Sequence, residues 1–294
     1  MVFRRARTLV WRGRVRSRVA FLMLRNVFSR RPVSAGPGPV VSLTSHGDRL
    51  SHCHVTIESI GRGSLTPRRL MLWLDDERAF RDLPGSLRRL TKRGLEVRLV
   101  ENFGPHTKYY PYVESEDDFY DPLVTADDDI IYPRWWLKTL NREARTTPGA
   151  VVGFRCRRVR MGVGGVLPYA SWPFADGTSL SILNFATGVG GVIYPPEMLL
   201  ALKHRGRAFV PISLAADDVW LHNTALRSGV SVRQVWSRAH TFPVIESTQA
   251  SGLKHANVGE GRNDLIIAST YSDPDIEMLR AAAAAAAVGE AGVD

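Results

Sequence analysis

The sequence predicts an α/β protein built on a mainly parallel, Rossmann-like sheet flanked by helices. Three observations point there. Short β-branched or leucine-rich runs alternate with longer amphipathic stretches, and the alternation recurs at spacings that suit parallel strands joined by helices. Acidic and glycine-rich segments fall where the predicted strands end, which is where open sheets of this kind bind ligands.

Residues 40–44 read as the first strand, followed by a loop through Ser45-His46-Gly47-Asp48-Arg49. Residues 52–60 follow as a helix, and 69–74 as a second strand closing at Asp75-Asp76. Residues 80–93 read as a helix stopped by Gly94, and 96–100 as a third strand. Next comes Leu123-Val-Thr-Ala-Asp-Asp-Asp-Ile-Ile-Tyr-Pro133, a short apolar run into three consecutive carboxylates, closed by a proline that can open a helix. Residues 134–145 read as that helix and 151–155 as a strand. Residues 157–181 have no clear period and are rich in glycine and aromatics, the composition of a binding loop or lid, in which Trp172 is a candidate platform for stacking a ligand. Beyond Asn184-Phe-Ala-Thr-Gly188 come a strand at 192–194 and a helix opening at Pro195-Pro196. A helix then starts at Ala215-Ala-Asp-Asp-Val-Trp220, and 230–235 reads as a last strand. A C-terminal helix runs into an alanine-rich tail.

The chain has 294 residues, enough for a substantial core, and its 44% hydrophobic and 23% charged composition is ordinary for a globular protein. No apolar run approaches the length needed to cross a bilayer. Cys53 and Cys156 form no CxxC pair, which argues against a disulfide framework or a thiolate zinc site and fits a reducing cytoplasm. The formal charge of +10 is uneven: Arg4, Arg5, Arg7, Arg12, Arg14, Arg16, Arg18, Arg25, Arg30 and Arg31 precede any acidic residue and equal the whole basic excess. Residues 32–294 are formally neutral, so the body is not read as a nucleic-acid binder. Residues 1–31 interleave those arginines with apolar side chains, the pattern of a basic amphipathic helix on an anionic membrane surface. The expected organisation is therefore this arm at 1–31, a Pro/Gly linker at 32–39, a catalytic domain at 40–270, and a C-terminal helix and low-complexity tail at 271–294. The expected location is cytoplasmic, peripheral on the inner face of the plasma membrane.

Asp127, Asp128 and Asp129 repel one another and raise one another's pKa, a cost that a hard divalent ion, Mn2+ or Mg2+, would offset. Asp217-Asp218 forms a second acidic group at a predicted helix start. Two separated acidic groups suit sugar transfer from a nucleotide-diphosphate sugar: one offsets charge on the departing diphosphate, the other takes a proton from the attacking hydroxyl.

Val41-Ser-Leu-Thr-Ser45, Leu70-Met-Leu-Trp-Leu74, Gly104-Pro-His-Thr-Lys108, Thr125-Ala-Asp-Asp-Asp-Ile-Ile-Tyr-Pro133 and Ala216-Asp-Asp-Val-Trp-Leu221 together carry a family resemblance. With these segments the sequence resembles bacterial glycosyltransferases of the GT-A type, the nucleotide-diphospho-sugar transferase fold, in the loose group of family-2 and capsule or cell-surface polysaccharide transferases. The resemblance implies that Asp127 and Asp129 form the Asp-x-Asp pair, with Asp129 the direct metal ligand, Asp127 orienting ribose or metal-bound water, and Asp128 an accessory acid. It implies nucleotide contacts from Thr44 and Arg49, base or ribose contacts from Asp75 or Asp76, and a phosphate contact from Lys108. Asp218, with Asp217 beside it, matches the catalytic base of an inverting enzyme. His255, or else His240, matches a late metal ligand. The partners implied are a nucleotide-diphosphate sugar and a glycan or glycolipid acceptor. Two other readings stand beside this one: a magnesium-dependent nucleotidyl- or phosphoryl-transferase, and an inactive membrane-associated scaffold.

Overall fold

The computed structural model describes residues 2–245 and 261–291, with the side chains of 11–245 and 261–288. In chain order the strands are β1 (Val40–Thr44), β2 (Leu70–Leu74), β3 (Leu95–Leu99), β4 (Leu123–Thr125), β5 (Val151–Gly153), β6 (Cys156–Arg158), β7 (Met161–Gly162), β8 (Gly165–Val166), β9 (Asn184–Ala186), β10 (Val192–Tyr194) and β11 (Val232–Gln234). The helices are α1 (Val2–Phe28), α2 (Leu50–Gly61), α3 (Glu77–Arg81), α4 (Gly85–Thr91), α5 (Tyr110–Ser115), α6 (Trp136–Thr146), α7 (Pro196–Arg205), α8 (Val210–Ser213), α9 (Asp217–Arg227), α10 (Arg262–Thr270) and α11 (Asp273–Ala291).

Seven strands form one sheet in the order β11-β5-β10-β4-β1-β2-β3. Strands β1 to β4 are parallel, with Val41 opposite Leu70 and Ser42 opposite Thr125. Strand β10 runs antiparallel to both β4 and β5, so the sheet is mixed, and its N-terminal end lies at the edge where the parallel strands finish. The result is a Rossmann-like layered α/β fold, as the alternation of runs predicted.

The continuous apolar run of β2 follows from burial on both faces. Leu70, Leu72 and Leu74 pack with α2, α4 and α6 through Ile57, Leu90 and Trp136. The intervening Met71 and Trp73 face the other layer, with Tyr112 of α5, Met198 of α7 and Trp220 of α9. A third cluster joins the glycine- and aromatic-rich stretch to α9, α10 and α11 through Tyr169, Trp172, Phe185, Val219, Ile267 and Leu279. The helix expected over 80–93 is divided into α3 and α4 around Pro84, since proline disfavours helix in the residue before it.

The two ends of the chain are more tightly joined to the body than composition implied. The second half of α1 lies on α2: Val15 and Leu22 are buried with Val55, Ile131 and Ile245. Residues 32–39, read as a linker, are pinned by backbone hydrogen bonds from Val33 N to Arg93 O, Ala35 N to Arg68 O and Gly38 N to Thr66 O. The alanine-rich α11 packs through Leu279, and its Asp275 is buried against Arg227 of α9 at 2.7 Å. No helix among the described residues is long and apolar enough to cross a membrane.

Glu58 of α2 fastens α1 to the body. Its side chain has no solvent exposure and pairs with Arg25 at 2.9 Å and with Arg93, while Asn26 Nδ2 donates to it at 3.3 Å. Removing the carboxylate leaves the buried Arg93 guanidinium uncompensated. Glu58→Ala is therefore expected to lower stability by about 3–5 kcal/mol, read from the urea midpoint. A loss below about 1 kcal/mol would show that the cluster does not hold α1 in place.

Candidate active site at the strand ends

Because β1, β2 and β4 are parallel, Thr44, Asp75 and Asp127 arrive at one edge of the sheet. A cavity of about 470 Å³ opens there, and its lining includes Thr44, Arg49, Asp75, Lys108, Asp127 and Asp128. Six of the residues singled out in the sequence thus meet around one space. Asp76 does not join them: its carboxylate accepts from Ala79 N at 2.9 Å and caps α3.

The acidic loop after β4 is held by hydrogen bonds at every step. Ala126 N donates to Ser42 O and Asp127 N to the Tyr132 hydroxyl, while Thr56 Oγ1 donates to Asp128 O at 2.8 Å and Ile245 N to Asp129 O at 2.8 Å. Tyr132 is itself fixed, through its N–H to Ser59 Oγ and its ring against Trp136. The three carboxylates are therefore presented on a rigid backbone.

Their partners separate them. Arg49 Nη2 lies 2.6 Å from Asp128 Oδ1 and 2.6 Å from Asp129 Oδ2, and Ser45 Oγ donates to Asp128 Oδ2 at 2.6 Å. Asp127 faces Lys108 Nζ at 3.6 Å. Burial raises the Asp129 pKa to about 6, with Asp127 and Asp128 adding to the rise and Arg49 opposing it. Burial likewise raises Asp127, against the pull of Lys108. Asp129, the expected direct metal ligand, is bound to Arg49 and is absent from the cavity lining, whereas Asp127 and Asp128 line it.

Lys108 connects this loop to the second acidic group. Its Nζ is 3.2 Å from Asp217 Oδ2. Burial is the largest influence on its pKa and lowers it, but Asp217, Asp127 and Asp218 together reverse this, and the ammonium is held charged. The backbone of Lys108 is fixed by Ser42 Oγ, which donates to its carbonyl at 2.7 Å. His106, two residues earlier, is fully buried and stacked on Phe209. It lies 2.7 Å from the Tyr109 hydroxyl through Nδ1 and 2.8 Å from Ser213 O through Nε2. Burial lowers its pKa to about 4, so it is a neutral brace between the 104–108 turn and α8.

Asp217 and Asp218 open α9, but Ala216 is the N-cap and no side chain caps that end. Asp218 Oδ1 instead accepts from Gly188 N at 3.0 Å. Burial and the neighbouring Asp217 raise its pKa to about 7, against Lys108 and the Gly188 N–H. A Cβ at residue 188 would lie 3.1 Å from Lys108 Nζ and 3.4 Å from Asp218 Oδ1, so glycine keeps the floor of this site low. Arg155, beyond β5, raises the number of cations here: its Nε donates to Thr187 Oγ1 at 2.8 Å, and its charge is felt by Asp218 and Asp127.

Several expectations are redirected. Trp172 is buried with its Nε1 donating to Leu167 O and its ring against Phe185, so it is core and offers no sugar platform. His240 sits among Trp236, Phe242 and Trp135 and is not part of the cavity lining. His255 lies outside the described residues. His46, Asn102, Leu214 and Ala215 line the cavity and were not singled out as ligand contacts. Among the described residues no three or more His, Cys, Asp or Glu side chains are grouped to hold a metal ion. A magnesium-like ion needs only one or two carboxylates when substrate phosphates complete its shell. The donor set at this edge fits that requirement, since Asp127, Asp128, Asp129, Asp217 and Asp218 stand against Arg49, Lys108 and Arg155 and the balance is negative.

No family model matches the chain, and no curated protein matches it. Among solved structures, the CMP:2-keto-3-deoxy-manno-octonic acid synthetase complexed with CTP is similar at 12% identity and a TM-score of 0.44, over 76% of this chain and 98% of that one. S. aureus TarS 1–349 is similar at 13% identity and a TM-score of 0.43, over 69% of this chain and 59% of that one. Likeness at this level assigns the chain to no family, and the reading of the site stands on its own geometry.

Proposed function

We propose that the protein is a glycosyltransferase that moves one sugar from a nucleotide-diphosphate sugar to a hydroxyl of a glycan or glycolipid acceptor, with inversion at the anomeric carbon. The observation that carries this reading is the pairing of a cavity lined by Thr44, Arg49, Asp75 and Lys108 with a buried carboxylate, Asp218, whose pKa is raised to about 7. Nucleoside and diphosphate would occupy the cavity, with Asp75 toward the base or ribose and Lys108 toward the phosphates. Asp218 takes the acceptor proton as the acceptor oxygen bonds to the anomeric carbon and the bond from that carbon to the diphosphate oxygen breaks. Lys108 orients both acidic groups and offsets charge on the leaving diphosphate. Asp127 and Asp129 would hold Mn2+ or Mg2+, which supplies further positive charge for that leaving group. For Asp129 this means exchanging Arg49 for the ion.

A carboxylate with its pKa near 7 is a competent base only when ionised. Transfer is therefore expected to rise about tenfold per pH unit below 7 and to level above it. Asp218→Asn should lower kcat by about 10²–10⁴-fold and leave donor affinity nearly unchanged, measured by calorimetry. Transfer at the wild-type rate would remove Asp218 from the mechanism.

The same substitution has a stability consequence of opposite sign. Because the folded-state pKa lies above the ordinary 3.8, the ionised group costs nothing below pH 3.8 and its full cost is present above about pH 7. Asp218→Asn is expected to raise the melting temperature at pH 8 by about 2–4 °C, and by less at pH 4.5.

Arg49 and the proposed metal ion compete for the Asp129 carboxylate. Arg49→Gln is expected to give the protein without nucleotide a Mn2+-dependent thermal shift that the wild type lacks until a nucleotide-sugar is added. A Mn2+ shift of equal size in both proteins would show that the ion does not bind at Asp129. A screen of nucleotide-sugars against nucleoside triphosphates by the same readout separates sugar transfer from nucleotidyl transfer. Stabilisation by triphosphates alone would favour the latter.

A further inference from the structure

A second cavity, of about 530 Å³, lies between α1, residues 31–36, the C-terminal end of α2 and the start of the segment leading into α6. Arg25, Arg31, Arg62 and Arg134 line it, together with Phe21. It sits at the opposite edge of the sheet from the candidate active site, because residues 34–36 precede β1 and residues 61–66 precede β2. Arg25 shares the single carboxylate of Glu58 with Arg93. Among the described residues no carboxylate pairs with Arg31, Arg62 or Arg134. Burial lowers the Arg62 pKa, and Arg134, Arg25 and Arg18 lower it further, which is the signature of positive charge gathered without an answer. Guanidinium groups in such a cluster match phosphate oxygens in both charge and geometry.

The adjoining surface of α1 is apolar where a protein in water gains least from it. Phe21 is 52% exposed, Leu24 58% and Phe28 76%, and the Phe21 ring carries the Arg62 guanidinium 5.2 Å from its centroid. Arginines beside exposed aromatic and aliphatic side chains suit a lipid interface, where the rings enter the headgroup layer and the cations meet phosphates. A soluble anion would account for the arginines but not for the apolar flank.

We propose that this cavity binds the phosphate groups of an anionic phospholipid surface, with Phe21, Leu24 and Phe28 entering the headgroup layer beside it. The expectation of membrane contact from residues 1–31 thereby becomes a defined site, half of which, Arg62 and Arg134, lies outside that segment. It does not depend on the sugar-transfer reading.

The test is flotation of the full chain with vesicles of phosphatidylcholine alone or with 30% phosphatidylglycerol. The wild type is expected to float with the anionic vesicles and not with the neutral ones. The Arg62→Ala/Arg134→Ala double variant should bind about tenfold more weakly with an unchanged melting temperature, and Phe28→Ser, altering a side chain outside the core, should also weaken binding. The double variant Arg145→Ala/Arg238→Ala removes the same charge from exposed positions elsewhere and should bind like the wild type. Equal losses from the two double variants would reduce the effect to net charge and overturn the site. So would undiminished binding of Arg62→Ala/Arg134→Ala. Thermal stabilisation by inorganic phosphate or glycerophosphate that Arg62→Ala/Arg134→Ala abolishes, without vesicle binding, would assign the cavity to a soluble phosphate and overturn the lipid assignment.

Discussion

One buried ammonium group organises the candidate active site. Lys108 stands between the loop after β4 and the first turn of α9, 3.6 Å from Asp127 and 3.2 Å from Asp217. Without it two groups of like charge would face each other uncompensated. With it they are held at a fixed separation that leaves room for a ligand. The same contact explains why residue 188 is glycine, since the chain there approaches both Lys108 Nζ and Asp218 Oδ1. It also explains the buried, neutral His106 and the Ser42 hydroxyl, which hold the lysine's own turn against α8 and β1.

The surroundings of this contact set the chemistry. The acidic loop is rigid because its amides and carbonyls are satisfied by Ser42, Thr56, Tyr132 and Ile245, so its carboxylates cannot retreat from one another. The protein answers with Arg49 on one side and Lys108 on the other, and burial, with the neighbouring carboxylates adding to it, still raises the pKa values of Asp127, Asp129 and Asp218. A carboxylate kept near neutral pH in this way is suited to accept a proton. Binding of a cationic centre, or loss of a proton acceptor's neighbour, would be felt at both ends through the lysine. The opposite edge of the sheet has the inverse character: Arg25 of α1, Arg31 after α1, Arg62 after α2 and Arg134 before α6 gather there beside one buried carboxylate, Glu58, which Arg25 shares with Arg93.

Much of this was legible in the residues. The strand runs read at 40–44, 69–74 and 192–194, and the presence of Thr44, Arg49, Asp75, Lys108, Asp127 and Asp128 at one edge, follow from apolar period and from the rule that parallel strands deliver their ends together. What was not legible depended on contacts between distant segments. Arg155 and Thr187 are 32 residues apart and meet because β6 and β9 pair, with Thr187 N donating to Arg155 O and Arg155 Nε to Thr187 Oγ1. Asp76 looked equivalent to Asp75, yet one carboxylate turned into a helix cap and the other toward the cavity. Trp172 had the composition of a binding loop around it, but α10 and α11 close over that loop and make it core.

The sequence by itself determined the layered α/β class, the strand-end location of the acidic groups and the basic character of the first segment, because each is a property of short-range pattern. Only the tertiary structure decided which charge answers which. It placed Arg49 on Asp128 and Asp129, put Lys108 between the two acidic groups, and joined α1 to α2 through Glu58. Ion pairing depends on separations of a few ångströms between groups that are remote along the chain, and no local pattern of residue types encodes those separations.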